Sequence, residues 1–392
     1  MKIGIDKIAC YTPGHYLDLK TLASLYQKDP SAYYDVLGQE QMSMPTPDED
    51  AITQGANAAW QILKDEDCSQ IKTLYFATES AVDQSKSCGM YLHRLLNLPS
   101  NCRVIELKQA CYSGTFALRA AINEIEKNSE QKSLVVMSDI ARYGLGSPGE
   151  LTQGAGAVAM LITANPKIAE INPDAGIYAE DAMDFWRPNY RDEAFVDGQY
   201  SVRLYLKMML KAWHDLKAKR STELASMMSF CFHLPFSTIA EKAFSRLARK
   251  EEQVVSDQDM ATKVHPGLQY NRLTGNCYTA SLYQSFCSLL DNDARDLSGT
   301  DVGLFSYGSG SMAEFFTATI QPGYRQHICS DYHKSIYHER KELDYEEYKK
   351  FYNFSLPQDG QDFQCPRLSS SRFRLAGIKK HKRLYETQKS AQ

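Results

Sequence analysis

The chain has 392 residues, 43% hydrophobic and 23% charged, with a formal net charge of -4. At about 100–200 residues per domain this is one large α/β unit or two fused halves, with ample material for a core. Its mild acidity argues against nucleic-acid or membrane-surface partners, which need a basic excess. The opening MKIGIDKIACYTPG holds no run long enough for a signal-peptide core. No stretch approaches the roughly 18 apolar residues of a membrane span, so a cytoplasmic protein is expected.

Along the chain, apolar runs of strand type at 73–78, 104–107, 133–137, 157–162, 230–232 and 302–306 alternate with amphipathic stretches at 50–63, 114–126, 202–216, 239–249 and 279–290. That alternation predicts α/β layering with buried central strands. Gly and Pro clusters near 145–149 and 186–189 mark loops. Beyond about Arg325 the chain turns more polar and carries the basic run 379–383, which reads as a solvated C-terminal extension.

The landmarks repeat. Glu79, at a strand end, precedes Cys111 by 32 residues, and the Gly-rich GAGAVAMLI begins 43 residues after Cys111. His233, also at a strand end, precedes Asn276 by 43 residues, and Gly308 of YGSGSMAEFFTATI follows 32 residues later. The same order twice predicts an internal duplication. A first half over 1–165 would carry Glu79 and Cys111. A second half over 166–392, extension included, would carry His233 and Asn276.

The ten cysteines include no CxxC pair, so the usual zinc and thioredoxin motifs are absent and no metal is expected. In a reducing compartment most of them read as small buried hydrophobes. Cys111, in QACYSGTFALRAA, stands directly before a helix-forming run. There, free N–H groups and the positive dipole end would lower its pKa and favour thiolate; plain packing at a helix start is the alternative. Glu79 in FATES is either a cap or a partly buried proton acceptor of raised pKa. His233 in CFHLPF has a strand-end setting that the other histidines lack. Asn276 opens the second-half helix, as an N-cap or facing Cys111 across a pseudo-two-fold. The Gly-rich segments lack dinucleotide, Walker and GxSxG spacings. Their glycines are expected to allow close backbone approach and, in the second segment, to offer N–H donors near a substrate oxygen.

The stretches MKIGIDKI, ATESAVD, QACYSGT, SDIARYGLGSPGELTQGAGAVAM, MDFWRP, VDGQYS, FHLPF, GNCYTASLY and GLFSYGSGS occur in this order. With them the sequence resembles, along nearly its whole length, the bacterial 3-hydroxy-3-methylglutaryl-CoA (HMG-CoA) synthases of the thiolase superfamily. The resemblance implies a thiolase-like α/β fold of two duplicated halves in layered αβαβα arrangement, usually a homodimer. It implies acetyl-CoA and acetoacetyl-CoA as substrates, no further cofactor, and a place in the mevalonate pathway. Cys111 would carry the acetyl group and Glu79 would deprotonate its methyl. The carbanion would attack acetoacetyl-CoA held near His233, and hydrolysis would release HMG-CoA.

Carried over by position, Asp139 and Asp184 would support the site from behind. Asp29, Tyr143, Thr152, Phe185, Ser201, Lys242, Asn276 and Ser309 would contact substrate. Each has a plainer reading: Asp184 as a cap, Phe185 as core, Lys242 as a solvated helix lysine. Thr238 stands where the family often has a second lysine, and Gln109 where many pathway enzymes carry Glu. QACYSGT and VHPGLQY also resemble related synthases that install β-branches on carrier-protein-bound polyketides. The short GELTQGAGA segment and MDFWRP favour the pathway enzyme.

Overall fold

Alternation of side chains along the central strands sorts the core into layers. In the computed structural model, which describes residues 1–388, nine strands form one mixed sheet. They are β1 (Ile3–Tyr11), β2 (Ile71–Ala77), β3 (Arg103–Leu107), β4 (Lys132–Ile140), β5 (Ala155–Ala164), β6 (Ala169–Ala179), β7 (Met227–Phe232), β8 (Asp301–Gly308) and β9 (Met312–Ile320). The principal helices are α1 (Ala51–Leu63), α2 (Cys88–Leu95), α3 (Ser113–Lys127), α4 (Gly198–Lys219), α5 (Ile239–Lys250), α6 (Ser281–Asn292), α7 (Ser330–His338) and α8 (Tyr345–Tyr352).

The strand order is β7-β8-β9-β6-β1-β5-β4-β2-β3. β2 and β4 pair in parallel, then β5 and β1 follow antiparallel. β7 and β8 pair in parallel, then β9 and β6 follow antiparallel. The second set thus repeats the first, and β1 meets β6 only through the Gly4/Glu170 and Ile5/Ala169 positions. Val135 and Met137 of β4 face an inner cluster with α3 and α6, together with Leu304 of β8 and Phe316 of β9. Leu134 and Val136 face outward onto α1 and α2. Phe305 and Phe315 face outward onto α4 and α5. Helix, sheet, helix, sheet and helix therefore stack in five layers, and both sheet faces are buried.

Three long strands, β1, β6 and β9, fall outside the predicted runs, the first two for local reasons. β1 shifts register between Ile5 and Lys7, with Asp6 between them, and β6 shifts register around Pro173, which has no N–H to give.

The segment after Arg325 is not a solvated extension, which corrects the expectation from its polarity. The hairpin of β10 (Phe373–Lys379) and β11 (Lys382–Thr387) lays Phe373, Leu375 and Tyr385 on the outer cluster of α1 and α2. Arg374 Nε donates to the Asp48 carboxylate at 2.9 Å, with side-chain exposures of 4% and 0%. The Tyr385 hydroxyl donates to Asp50, the N-cap of α1, at 2.6 Å. Of the basic run 379–383, Lys379–Lys382 face solvent at the tip of the hairpin and Arg383 pairs with Asp50. Among these pairings, Arg374→Ala leaves a buried carboxylate without its cation. It should cost about 3–5 kcal/mol in urea unfolding, and a loss below about 1 kcal/mol would show that the hairpin is held by its apolar side chains alone.

Candidate active site

Cys111 stands two residues ahead of α3, on a tight turn closed by the Tyr112 N–H donating to the Gln109 carbonyl. Gly308, at the end of β8, lets that strand come close: a Cβ there would lie 2.6 Å from the Gln109 oxygen and 2.8 Å from the Tyr112 nitrogen. Gly154 likewise passes the Thr274 carbonyl, where a Cβ would lie 2.4 Å away. Both Gly-rich segments thus permit close backbone approach, as their composition predicts.

The Cys111 thiol donates to Glu79 Oε1 at 3.1 Å. Burial, with the Asp139 charge nearby, raises the Glu79 carboxyl to about 8. Burial and the Glu79 charge also push the Cys111 thiol well above its usual value. The helix-start expectation of a thiolate is therefore corrected: desolvation and a facing carboxylate outweigh the dipole of α3. Beneath the pair lies Asp139, fully buried. Its Oδ1 accepts from the Glu79 N–H (2.7 Å), the Thr78 hydroxyl and the Ser80 hydroxyl. Its Oδ2 accepts from the Thr279 N–H and hydroxyl across in the second half. The Arg187 guanidinium donates to the Glu79 carbonyl oxygen.

A cavity of about 640 Å³ opens onto the thiol. Cys111, Tyr143, Thr152, Phe185, Ser201, His233, Asn276 and Ser309 all line it. His233 follows β7 and is held by its backbone: its N–H donates to the Phe305 carbonyl, and the Tyr205 hydroxyl donates to its own carbonyl. Burial lowers its imidazole to about 3, so it is neutral, and Nδ1 has no partner among the described residues. Asn276 does not cap α6, which starts at Ser281. Its Oδ1 instead accepts from the Tyr278 N–H, and its amide donates to the Tyr143 hydroxyl at 3.0 Å. Asp184 accepts from the hydroxyls of Ser201, Tyr307 and Ser309. It also takes the Gly310 N–H at 3.2 Å, so that glycine's donor serves Asp184 and not a substrate oxygen.

Two candidates lie elsewhere. Asp29 is exposed and accepts from the Ser31 N–H, and Lys242 is exposed on α5 with its ammonium over the Phe236 ring; neither lines the cavity. The Thr238 hydroxyl donates to the Val36 carbonyl, tying α5 to the first half. The structure adds an apolar wall of Leu37, Leu145, Pro235, Phe236 and Ile239, and it adds Arg187. MDFWRP and FHLPF contain three of these, but nothing local marks Leu37, whose place is set by tertiary packing alone. Among the described residues, Cys10, Cys287 and His333 form one group of metal-ligand type, with ligand atoms within 4.8 Å. His333 Nε2 accepts the Cys10 N–H and Nδ1 pairs with Asp291 at 2.6 Å, so both ring nitrogens are already engaged.

A duplicated five-layer α/β fold with a thiol at the start of the first half's central helix defines the thiolase-like class. Within it, the chain belongs to the HMG-CoA synthase family: the N-terminal hydroxymethylglutaryl-coenzyme A synthase profile matches residues 1–167 and the C-terminal one residues 248–354. It is 38% identical over 360 residues to the hydroxymethylglutaryl-CoA synthase of Enterococcus faecalis, covering 92% of this chain and 94% of that one. It is 32% identical to the polyketide biosynthesis 3-hydroxy-3-methylglutaryl-ACP synthase PksG of Bacillus subtilis, covering 81% and 80%. A crystal structure of HMG-CoA synthase complexed with CoA superposes with a TM-score of 0.94 at 35% identity, over 99% of this chain and 100% of that one.

The Glu79 environment has a measurable cost. Unfolded, this carboxyl ionises near its ordinary 4.5; folded, it holds its proton to about 8. Between those values folding takes up a proton, so its contribution to stability falls as pH rises. Glu79→Gln should therefore gain stability relative to the parent protein on going from pH 5 to pH 8 in urea unfolding. A difference independent of pH would place the perturbed group elsewhere.

Proposed function

We propose that this protein condenses acetyl-CoA with acetoacetyl-CoA and water to give HMG-CoA and CoA, through an acetyl thioester on Cys111. The observation that carries the reading is the 3.1 Å contact between Glu79 and the Cys111 thiol, a thiol that lines the same cavity as His233. In the first step the thiol attacks the acetyl carbonyl, CoA departs as thiolate, and the thiol proton goes to the departing sulfur. In the second, Glu79 takes a proton from the acetyl methyl, for which a carboxylate raised to about 8 is a better match than an ordinary one. The enolate carbon attacks the ketone of acetoacetyl-CoA, neutral His233 donates a hydrogen bond to the oxygen on which charge develops, and that alkoxide takes up the proton held on Glu79. Water then cleaves the Cys111 thioester.

Asn276, Tyr143 and Ser309 would orient the two acyl groups; Asp184 holds Ser309 from behind, and Asp139 does the same for Glu79. Asp29 and Lys242 would reach substrate only through the distal part of CoA, since both are exposed and outside the cavity. The higher identity and coverage with the Enterococcus faecalis enzyme than with PksG support a CoA-using, mevalonate-pathway enzyme. β3 pairs on one side only among the described residues, and Ile105 on it is 48% exposed. Phe116 and Met90 are exposed as well, which supports a homodimer joined through this edge. No described helix is long and apolar enough to cross a membrane, which is compatible with a cytoplasmic enzyme.

Two experiments test the reading. With labelled acetyl-CoA, label should appear on the Cys111 peptide and vanish in Cys111→Ser. Glu79→Gln should still acetylate, because the departing CoA thiolate can take the thiol proton, yet lose about 10²–10⁴-fold in condensation. Equal loss of both steps would make Glu79 the base for the thiol instead. In the second experiment, acetoacetyl-CoA and acetoacetyl-carrier protein compete as acceptors. Faster turnover of the free CoA substrate is expected, and a strong preference for the carrier-bound one would replace this reading with the β-branching synthase.

A further inference from the structure

The backbone beside the nucleophile is strained. Ala110 has a φ of 43°, the left-handed region that a residue with a Cβ occupies only when its surroundings over-determine it. On the other side of Cys111, Tyr112 is pinned: its hydroxyl donates to Glu314 Oε2 at 2.7 Å. Glu314 lies on β9, in the opposite half of the molecule, and its side chain is 2% exposed. Its second oxygen accepts from Arg119 Nε at 2.7 Å. Arg119 Nη1 in turn donates to the Asn172 carbonyl on β6, and its guanidinium lies 4.9 Å from the centre of the Phe316 ring.

Tyr112 is the N-cap of α3 and Arg119 lies two turns further along it, so a single carboxylate grips this helix at two heights. A buried ion pair is seldom a better source of stability than apolar packing, because its desolvation offsets its attraction. Its hydrogen bonds do have direction. Here they set the rotation and height of the first turn of α3, and with them the position of the Cys111 sulfur relative to Glu79. Neither Tyr112, Arg119 nor Glu314 lines the cavity.

We propose that Glu314 is a positioning residue for the nucleophile, acting through Tyr112 and Arg119 to hold the strained Ala110–Cys111 turn where the thiol meets its acyl donor. The inference rests on Cys111 being the acetyl carrier. Single-turnover acetylation with labelled acetyl-CoA separates position from folding: the rate constant reports the placement of the sulfur, and the amplitude reports the folded fraction. Glu314→Leu should lower the rate constant about ten- to hundredfold with its amplitude largely kept, since a misplacement of about 1 Å can cost that much. Tyr112→Phe, which leaves the Arg119 pair intact, should lower it about fivefold or more. Glu314→Gln can still accept from Arg119 and offer its amide to the Tyr112 oxygen, and should recover most of the rate. The KM for acetoacetyl-CoA should not move in any of the three.

A parental rate constant in both Glu314→Leu and Tyr112→Phe, with only the amplitude reduced, would overturn the proposal and leave Glu314 as a strut between halves. If Glu314→Leu does not fold, Tyr112→Phe decides: a parental rate constant there overturns the proposal, and a lowered one supports it. No label on the parent protein at all would overturn the acetyl-carrier reading on which the proposal rests, an outcome distinct from a parental rate constant in the variants.

Discussion

The carboxylate of Asp139 is the constraint on which the site depends. It is buried with no cation in contact among the described residues, and five donors compensate it: the Thr78 and Ser80 hydroxyls and the Glu79 N–H from the first half, and the Thr279 N–H and hydroxyl from the second. An ionised group in such a place is tolerable only if every donor stays aimed at it. The ends of β2 and the approach to α6 are therefore locked to one another across the pseudo-symmetric seam. Glu79 inherits its position through its own N–H, and its raised pKa reflects in part the negative charge it sits beside.

That arrangement explains why the reacting pair is a neutral thiol facing a reluctant carboxylate and not an ion pair. Desolvation acts on both groups in the same direction, and among the described residues no lysine ammonium or arginine guanidinium touches either side chain; Arg187 binds the Glu79 backbone instead. For the proposed condensation this would supply a base strong enough for a C–H bond, beside a sulfur that becomes nucleophilic only as the reaction proceeds. His233, neutral and anchored by its backbone, suits hydrogen bonding better than proton storage.

Much of this was legible in the residues because the central strands are plain apolar runs. β2, β4, β5, β7 and β8 coincide with uninterrupted hydrophobic segments, and buried strands with helices on both faces must look that way. Strands that break the run, such as β1 at Asp6 and β6 at Pro173, cannot be found by the same rule. Family motifs singled out Cys111, Glu79 and His233 as candidates, but motifs carry no dielectric information. The direction of the Cys111 shift followed from how deeply the pair is buried, which only three dimensions reveal. Asp29 and Lys242 likewise matched by position while their surroundings leave them facing solvent. Leu37 shows the converse, a cavity wall residue with no local signature at all.

The C-terminal hairpin has a consequence for how the chain is made. Phe373, Leu375 and Tyr385 complete the outer face of α1 and α2, and Arg374 neutralises Asp48, both far earlier in the chain. During synthesis the first half emerges with that face bare, and it stays bare until the hairpin has also left the ribosome. The nascent first half is thus a client for chaperones that cover apolar helices, and premature termination anywhere before the hairpin leaves an aggregation-prone fragment in place of a smaller working enzyme.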